Sequence, residues 1–172
     1  MKKLITLLML LGNITAFAQS QTGANPDSAT LIFVTQANLS NMKEVHTGQL
    51  AISKAKTAGV KAFGTRMVAD HTKADNELMQ IIKSKRWQVS PPAAADVAPD
   101  DMLTRSLGYN FDRNYVRMMV QDHKKAVAYF ETAAVNVPDP EVKAFIRKTL
   151  PVLRQHLASI QTIATNMGIT YK

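Results

Sequence analysis

Cysteine is absent from the 172 residues. That excludes disulfides, thiolate metal sites, a lipid-attachment cysteine and a cysteine nucleophile. Tryptophan occurs once and glycine only seven times, and no glycine-rich phosphate loop or Gly-x-Ser-x-Gly elbow can be found. Aromatics make up 6% of the chain and do not interleave with the basic residues, so neither a nucleic-acid motif nor a basic stripe is present. No nucleic-acid partner is expected. The longest apolar run, Leu4 to Leu11, falls well short of the roughly 20 residues a membrane-spanning helix needs. No segment alternates with the two-residue period of a strand.

What is present begins with a secretory signal. Lys2 and Lys3 form a basic start, Leu4 to Leu11 an apolar core, and Ala16-Phe17-Ala18 a small-residue cleavage site, which predicts cleavage after Ala18 and export to the periplasm or cell envelope. Residues 19–26 are small and polar and are expected to be a disordered lead-in. The formal net charge is +8, and removing Lys2 and Lys3 leaves about +6. An excess of this size favours peripheral contact with an anionic envelope surface. The sequence leaves the oligomeric state open.

Residues 27–168 read as one domain of four long amphipathic helices. Asp27 or Ser28 caps the first, over about 27–57. Leu31, Val34, Met42, Val45 and Ile52 lie on one side of it, and Phe33, Ala37, Ala51 and Ala55 on another. Gly59 breaks the pattern. In the second helix, about 60–86, Val60, Phe63, Met67, His71, Ala74, Leu78 and Ile81 recur at three- and four-residue steps. Residues 88–101 form a linker with Pro91-Pro92 and Pro99, long enough to cross the end of the domain or run along it. Met102 to Leu107 is one short turn, ended by Gly108. Asn110 caps the third helix, about 111–136, with Phe111, Tyr115, Met119, Asp122, Ala126, Tyr129 and Ala133 on its face and His123 at the edge. Asp139 followed by Pro140 and Glu141 is a strong start signal for the fourth, about 140–166, in which Pro151 falls on the solvent side. Helices of this length, each about 40 Å long and joined short–long–short, predict an all-α, antiparallel four-helix bundle.

The polar residues interrupting these stripes are the candidates for function. Arg66-Met-Val-Ala-Asp-His71 is echoed by Met119-Val-Gln-Asp-His123, as if one helical hairpin had been duplicated. His46 and His156 lie near the middle of the other two helices, so all four histidines fall within roughly 10 Å along the axis. Glu44, Asp70 and Asp122 occupy the same slab. Buried groups of this kind must partner each other, water or an ion. A crossed arrangement, Asp70 with His123 and Asp122 with His71, fits a pseudo-twofold pair of hairpins. The candidate metal set is therefore Glu44, Asp70, His71, Asp122, His123 and His156, with iron, zinc, manganese or copper as the ion, and Met67 and Met119 would favour copper. The competing expectation is a metal-free network in which neutral imidazoles and carboxylates hold the helices in register.

Phe111-Asp-Arg-Asn-Tyr115, Met119-Val-x-Asp-His123, Leu150-Pro-x-Leu-Arg-x-His156, Glu44, Gln49-Leu-Ala51 and Arg66-Met-Val-x-Asp-His71 closely resemble the DUF4142 family of exported bacterial helical proteins, over roughly residues 29–167. The resemblance implies a ferritin-like four-helix bundle in the envelope of a Gram-negative bacterium, in the periplasm or at the outer membrane, and implies no activity. The Glu-x-x-His ligand pattern of ferritin-like di-iron proteins is missing, because Val68, Val120 and Leu153 stand three residues before the histidines. The Met-x-x-x-His spacing with Phe-Asp-Arg is also similar to the copper-associated DUF305 bundles, whose His-His pair this chain lacks. Three functions are expected to compete: a non-enzymatic envelope protein with an internal Asp/His network able to bind a metal, a metal-dependent redox or storage protein, and a binding module for apolar ligands between the helices. Catalysis is not the expected role.

Overall fold

The structure, a computed structural model, describes residues 25–171; the signal peptide and most of the lead-in read from the sequence lie outside them. Five helices follow one another: α1 (Ser28–Lys54), α2 (Ala58–Ser84), α3 (Asp101–Arg105), α4 (Gly108–Asn136) and α5 (Pro140–Asn166). Among the described residues there is no strand and no helix long and apolar enough to cross a membrane. The fold is all-helical, as the periodicity requires.

Local chemistry explains most boundaries, and two differ from the sequence reading. Asp27 caps α1 by accepting from the Thr30 amide at 2.9 Å. Asp139 caps α5 by accepting from the amides of Glu141 and Val142, both at 3.0 Å, with Pro140 in the first turn. Pro151 is exposed and α5 continues through it. Gly59, however, lies inside α2 and breaks nothing; the interruption is the extended turn at residues 55–57. Nor does Asn110 cap α4. The chain enters two residues earlier, through Gly108 at φ +57°, a left-handed conformation open to glycine at little cost.

Four seams join the long helices. Asn38 reaches Asp75 at 2.8 Å and Asn41 reaches His71 at 3.0 Å, so α1 and α2 run antiparallel. Arg66 binds Gln155 and Ser159 while Lys148 bridges to Glu77 at 2.6 Å, which sets α2 antiparallel to α5. Arg154 meets Glu131 at 2.7 Å between α5 and α4. Phe33 packs on Tyr129 and Phe130, placing α1 beside α4. The linker then climbs beside α1: the His46 Nδ1 lies 3.1 Å from the Val97 carbonyl oxygen, and Lys54 donates to the Thr104 carbonyl at 2.5 Å.

The core is split in two. One apolar cluster gathers Ala51, Phe63, Met67, Phe111, Tyr115, Met119 and Ile160; the other gathers Phe33, Leu78, Phe130, Phe145 and Leu153. Between them lies a polar layer holding Asn41, His71, His123 and His156, each no more than 6% exposed. Burying such groups costs free energy unless something compensates them.

The α1–α2 seam is tight because two glycines face each other. A Cβ on Gly64 would stand 2.9 Å from the Ala51 Cβ and 2.9 Å from the Gly48 carbonyl oxygen. Alanine there gains about 1 kcal/mol of helix propensity but overpacks a rigid contact at a cost of about 1–3 kcal/mol. Because one of the atoms met is backbone and cannot swing aside, the upper part of that cost, about 2–3 kcal/mol, applies. Gly64→Ala is therefore expected to destabilise the protein by about 1–2 kcal/mol in urea denaturation. Unchanged stability would show that the seam can spread freely.

Candidate metal centre

His71 on α2, His123 on α4 and His156 on α5 converge at one level. Their ring centroids stand 6.1, 5.5 and 5.4 Å apart pairwise, and one ring nitrogen from each lies within 4.8 Å of the other two. Phe63, two turns before His71, sets its ring edge-on to His123 and His156 at 5.9 and 6.4 Å, closing one side of the group with hydrocarbon.

Each imidazole is held by an oxygen that fixes its tautomer. The His71 Nδ1 donates to the Asn41 Oδ1 at 3.0 Å. The His123 Nδ1 donates to the Met119 carbonyl at 3.0 Å, and the His156 Nε2 to the Asp70 Oδ2 at 2.7 Å. A carbonyl or carboxylate oxygen can only accept, so the proton of each neutral ring is assigned. The remaining nitrogens, His71 Nε2, His123 Nε2 and His156 Nδ1, are buried and have no hydrogen-bond partner. Three lone pairs thus lie buried in the polar layer with no donor to meet them. A cation satisfies this arrangement.

The electrostatics keep the rings in their ligand form. Burial, reinforced by the neighbouring imidazoles, pushes His71 from 6.5 down to about 3, and burial with His156 takes His123 to about 4. Burial lowers His156 too, although the Asp70 carboxylate pulls the other way. Burial alone would raise Asp70, but its bonds to His156 and Arg66 hold it below the usual carboxylate range. Asp70 accordingly orients His156 and increases its basicity, the usual task of a carboxylate behind a ligand imidazole. Imidazole ligands at about 2.0–2.1 Å from an ion sit roughly 3.4–3.6 Å from one another, so nitrogens within 4.8 Å of one another would need to draw together by at most about 1.2–1.4 Å.

The other residues predicted from sequence fall elsewhere. Asp122 does not meet His71, and Asp70 does not meet His123; the crossed pairing is corrected to the single Asp70–His156 bond. Asp122 is half-buried at the edge of α4, 3.9 Å from the exposed Lys125, because Val116 and Val120 turn the apolar arc of that helix towards His123. Glu44 projects into the α1–α4 seam, its Oε2 buried and without a partner. Burial and the nearby Asp122 charge raise its pKa to about 8. His46 stands outside the group, holding the linker. Met67 and Met119 are buried in the apolar cluster one turn from His71 and His123. Asn41 was missed: the sequence signal was a polar residue one turn beyond Ala37 on a buried face.

Two cavities touch the histidines. One of about 590 Å³ lies between α1 and α4 and is lined by Asn41, Glu44, His71, Asp96, Asp122 and His123, among others. A smaller one of about 100 Å³ lies between α2 and α5 beside Asp70, His71 and His156.

Three solved structures share this architecture. CopM in the Cu(I)-bound form is 18% identical with a TM-score of 0.69, over 80% of this chain and 96% of that one. CopM in the Ag-bound form is 17% identical at 0.66, over 80% and 96%. A DUF305 fragment from Deinococcus radiodurans is 12% identical at 0.70, over 83% and 99%. At these identities the likeness is one of fold. No curated protein matches the sequence. A family model for the domain of unknown function DUF4142 matches residues 15–163, and the chain belongs to that family.

Proposed function

We propose that this protein is an exported, non-enzymatic envelope protein whose four long helices form an antiparallel, ferritin-like bundle around one transition-metal site. The ligands are His71 Nε2, His123 Nε2 and His156 Nδ1, with Asp70 and Asn41 orienting two of the rings. The observation that carries this reading is the three inward-facing, partnerless acceptor nitrogens. An all-imidazole set suits copper and zinc. Copper is the first ion to test, since the fold is similar to that of CopM, solved with Cu(I), Cu(II) and Ag. Export rests on the signal sequence before Gln19.

A second reading is favoured by the Asn41–His71 and Asp70–His156 bonds, which join helices without an ion. In that case the polar layer serves only to fix helix register. Elemental analysis of protein purified without a chelating tag, followed by titration with Cu(I), Cu(II) and Zn(II), separates the two. Wild type is expected to hold one ion per chain and the His71→Ala, His123→Ala double variant none, with helical circular dichroism retained. A wild type that binds no ion stoichiometrically would leave the register reading standing.

A further inference from the structure

We propose that the cavity between α1 and α4 is the passage by which a metal cation travels between solvent and the three histidines, with Asp122 and Glu44 as successive carboxylate holding points. This rests on the metal reading above and adds a route to it.

The physical need is plain. A hydrated cation must lose water to reach the histidines, and neutral imidazoles exert no long-range pull on it. The attraction has to come from carboxylates towards the mouth of the path, while Glu44, held neutral by burial until an ion arrives, exchanges its proton for the ion and replaces departing water. The α1–α4 cavity has them in order of depth. Asp96 is exposed at the mouth, Asp122 half-buried, and Glu44 presents its Oε2 inside without a partner. Asn41 lies one turn before Glu44 and holds the Nδ1 of His71. The same cavity reaches His71 and His123 directly. Its volume of about 590 Å³ admits a partly hydrated ion.

Lys43 and Lys125 also line this cavity, but both are exposed, and solvent screens them more than the inner carboxyl. The Glu44 Oε2 makes no hydrogen bond across the seam to either lysine or to Asp122. The α2–α5 side is the opposite case. Its cavity is only about 100 Å³, and both carboxylates lining it are engaged, Glu77 by Lys148 at 2.6 Å and Asp70 by His156 and the Arg66 guanidinium.

The test follows zinc(II) uptake and its removal by a chromophoric chelator in stopped flow, using full-length mature protein. Glu44→Gln with Asp122→Asn removes both carboxyl groups from the route; Ala126→Trp fills the α1–α4 cavity; Val152→Trp fills the α2–α5 cavity as the opposing control. Both rates are expected to fall about tenfold in the first two proteins, with one zinc still bound per chain at the end, and to stay at the wild-type value in the third. Wild-type rates in the Glu44→Gln, Asp122→Asn protein, or slowing confined to Val152→Trp, would overturn the route while leaving the metal site intact. A wild type that takes up no stoichiometric zinc overturns the site and the route together.

Discussion

Acidification of the metal-free protein from pH 6.5 to 4 is expected to lower its stability by about 3 kcal/mol, a loss of about 5 from the buried histidines being offset by about 2–3 from Glu44. That is a large share of what holds a domain of this kind together. Above pH 6.5 the histidines are neutral in both the folded and the unfolded chain, so these groups make stability flat with pH. Below 6.5 the unfolded chain binds protons that the folded one refuses, since His71 and His123 titrate only at about 3 and about 4. Stability therefore falls as pH falls through that window. His156 adds to the slope in the same direction. Glu44 acts with the opposite sign: raised to about 8, it disfavours folding increasingly between pH 4.5 and 8. Glu44→Gln should accordingly be more stable than wild type at pH 8, by a margin that shrinks as pH falls towards 4.5, so that its acid limb is the steeper of the two. Urea denaturation at half-unit steps of pH checks both limbs. Bound metal should add stability at pH 7 and lose that gain over the acid window, because protons compete for the same nitrogens. A flat profile between pH 7 and 4 would mean that the rings are not kept neutral by burial.

How far the sequence revealed this layer depended on the helix. On α2 the apolar residues recur so regularly that His71 could be placed at the centre of the buried arc, and it is there. On α4 the same reasoning set Asp122 on the face and His123 at the edge. The true arc includes Asp112, Val116 and Val120 and is centred about 50° further round, so that Phe111, Tyr115, Met119 and Ala133 stay buried while Asp122 leaves the face. On α1 hydrophobicity misled more seriously. Leu31 and Ile52, expected on a buried side, are 36% and 39% exposed, while the buried face carries Thr30, Asn38, Asn41, Thr47 and Gly48. Small and hydrogen-bonding residues are needed there because α2 approaches closely and the polar layer needs acceptors, and neither demand leaves an apolar stripe. The duplicated Met-Val-x-Asp-His was legible as a motif but not as a geometry. Its two histidines do the same thing and its two aspartates do not: one finds His156 across a seam, the other faces Lys125 and solvent.

The Phe111-Asp-Arg motif gave no hint of its task, because the partner lies 55 residues earlier in the chain. Asp112 is fully buried and accepts from the Lys56 amide at 3.0 and 3.2 Å and from the Thr57 amide at 2.8 Å. Thr57 stands at the N-cap of α2 without making a side-chain cap bond of its own, so α4 caps α2 from a distance. A carboxylate there satisfies amides that no helical carbonyl can reach and meets the positive end of the α2 dipole. It also ties the α1–α2 turn to the start of α4, three turns before His123. Asp112→Ala leaves two amides without an acceptor and is expected to cost about 3 kcal/mol, while Asp112→Asn, which keeps one acceptor oxygen, should cost about half as much. Because the contact fixes how far α4 is advanced against α2, Asp112→Ala is also expected to weaken metal binding about tenfold at a pH and temperature where the protein remains folded. Equilibrium unfolding and a metal-competition titration measure the two effects separately. Full affinity alongside the stability loss would show that Phe63 and the apolar clusters hold the histidines in register unaided, with Asp112 serving as a cap alone.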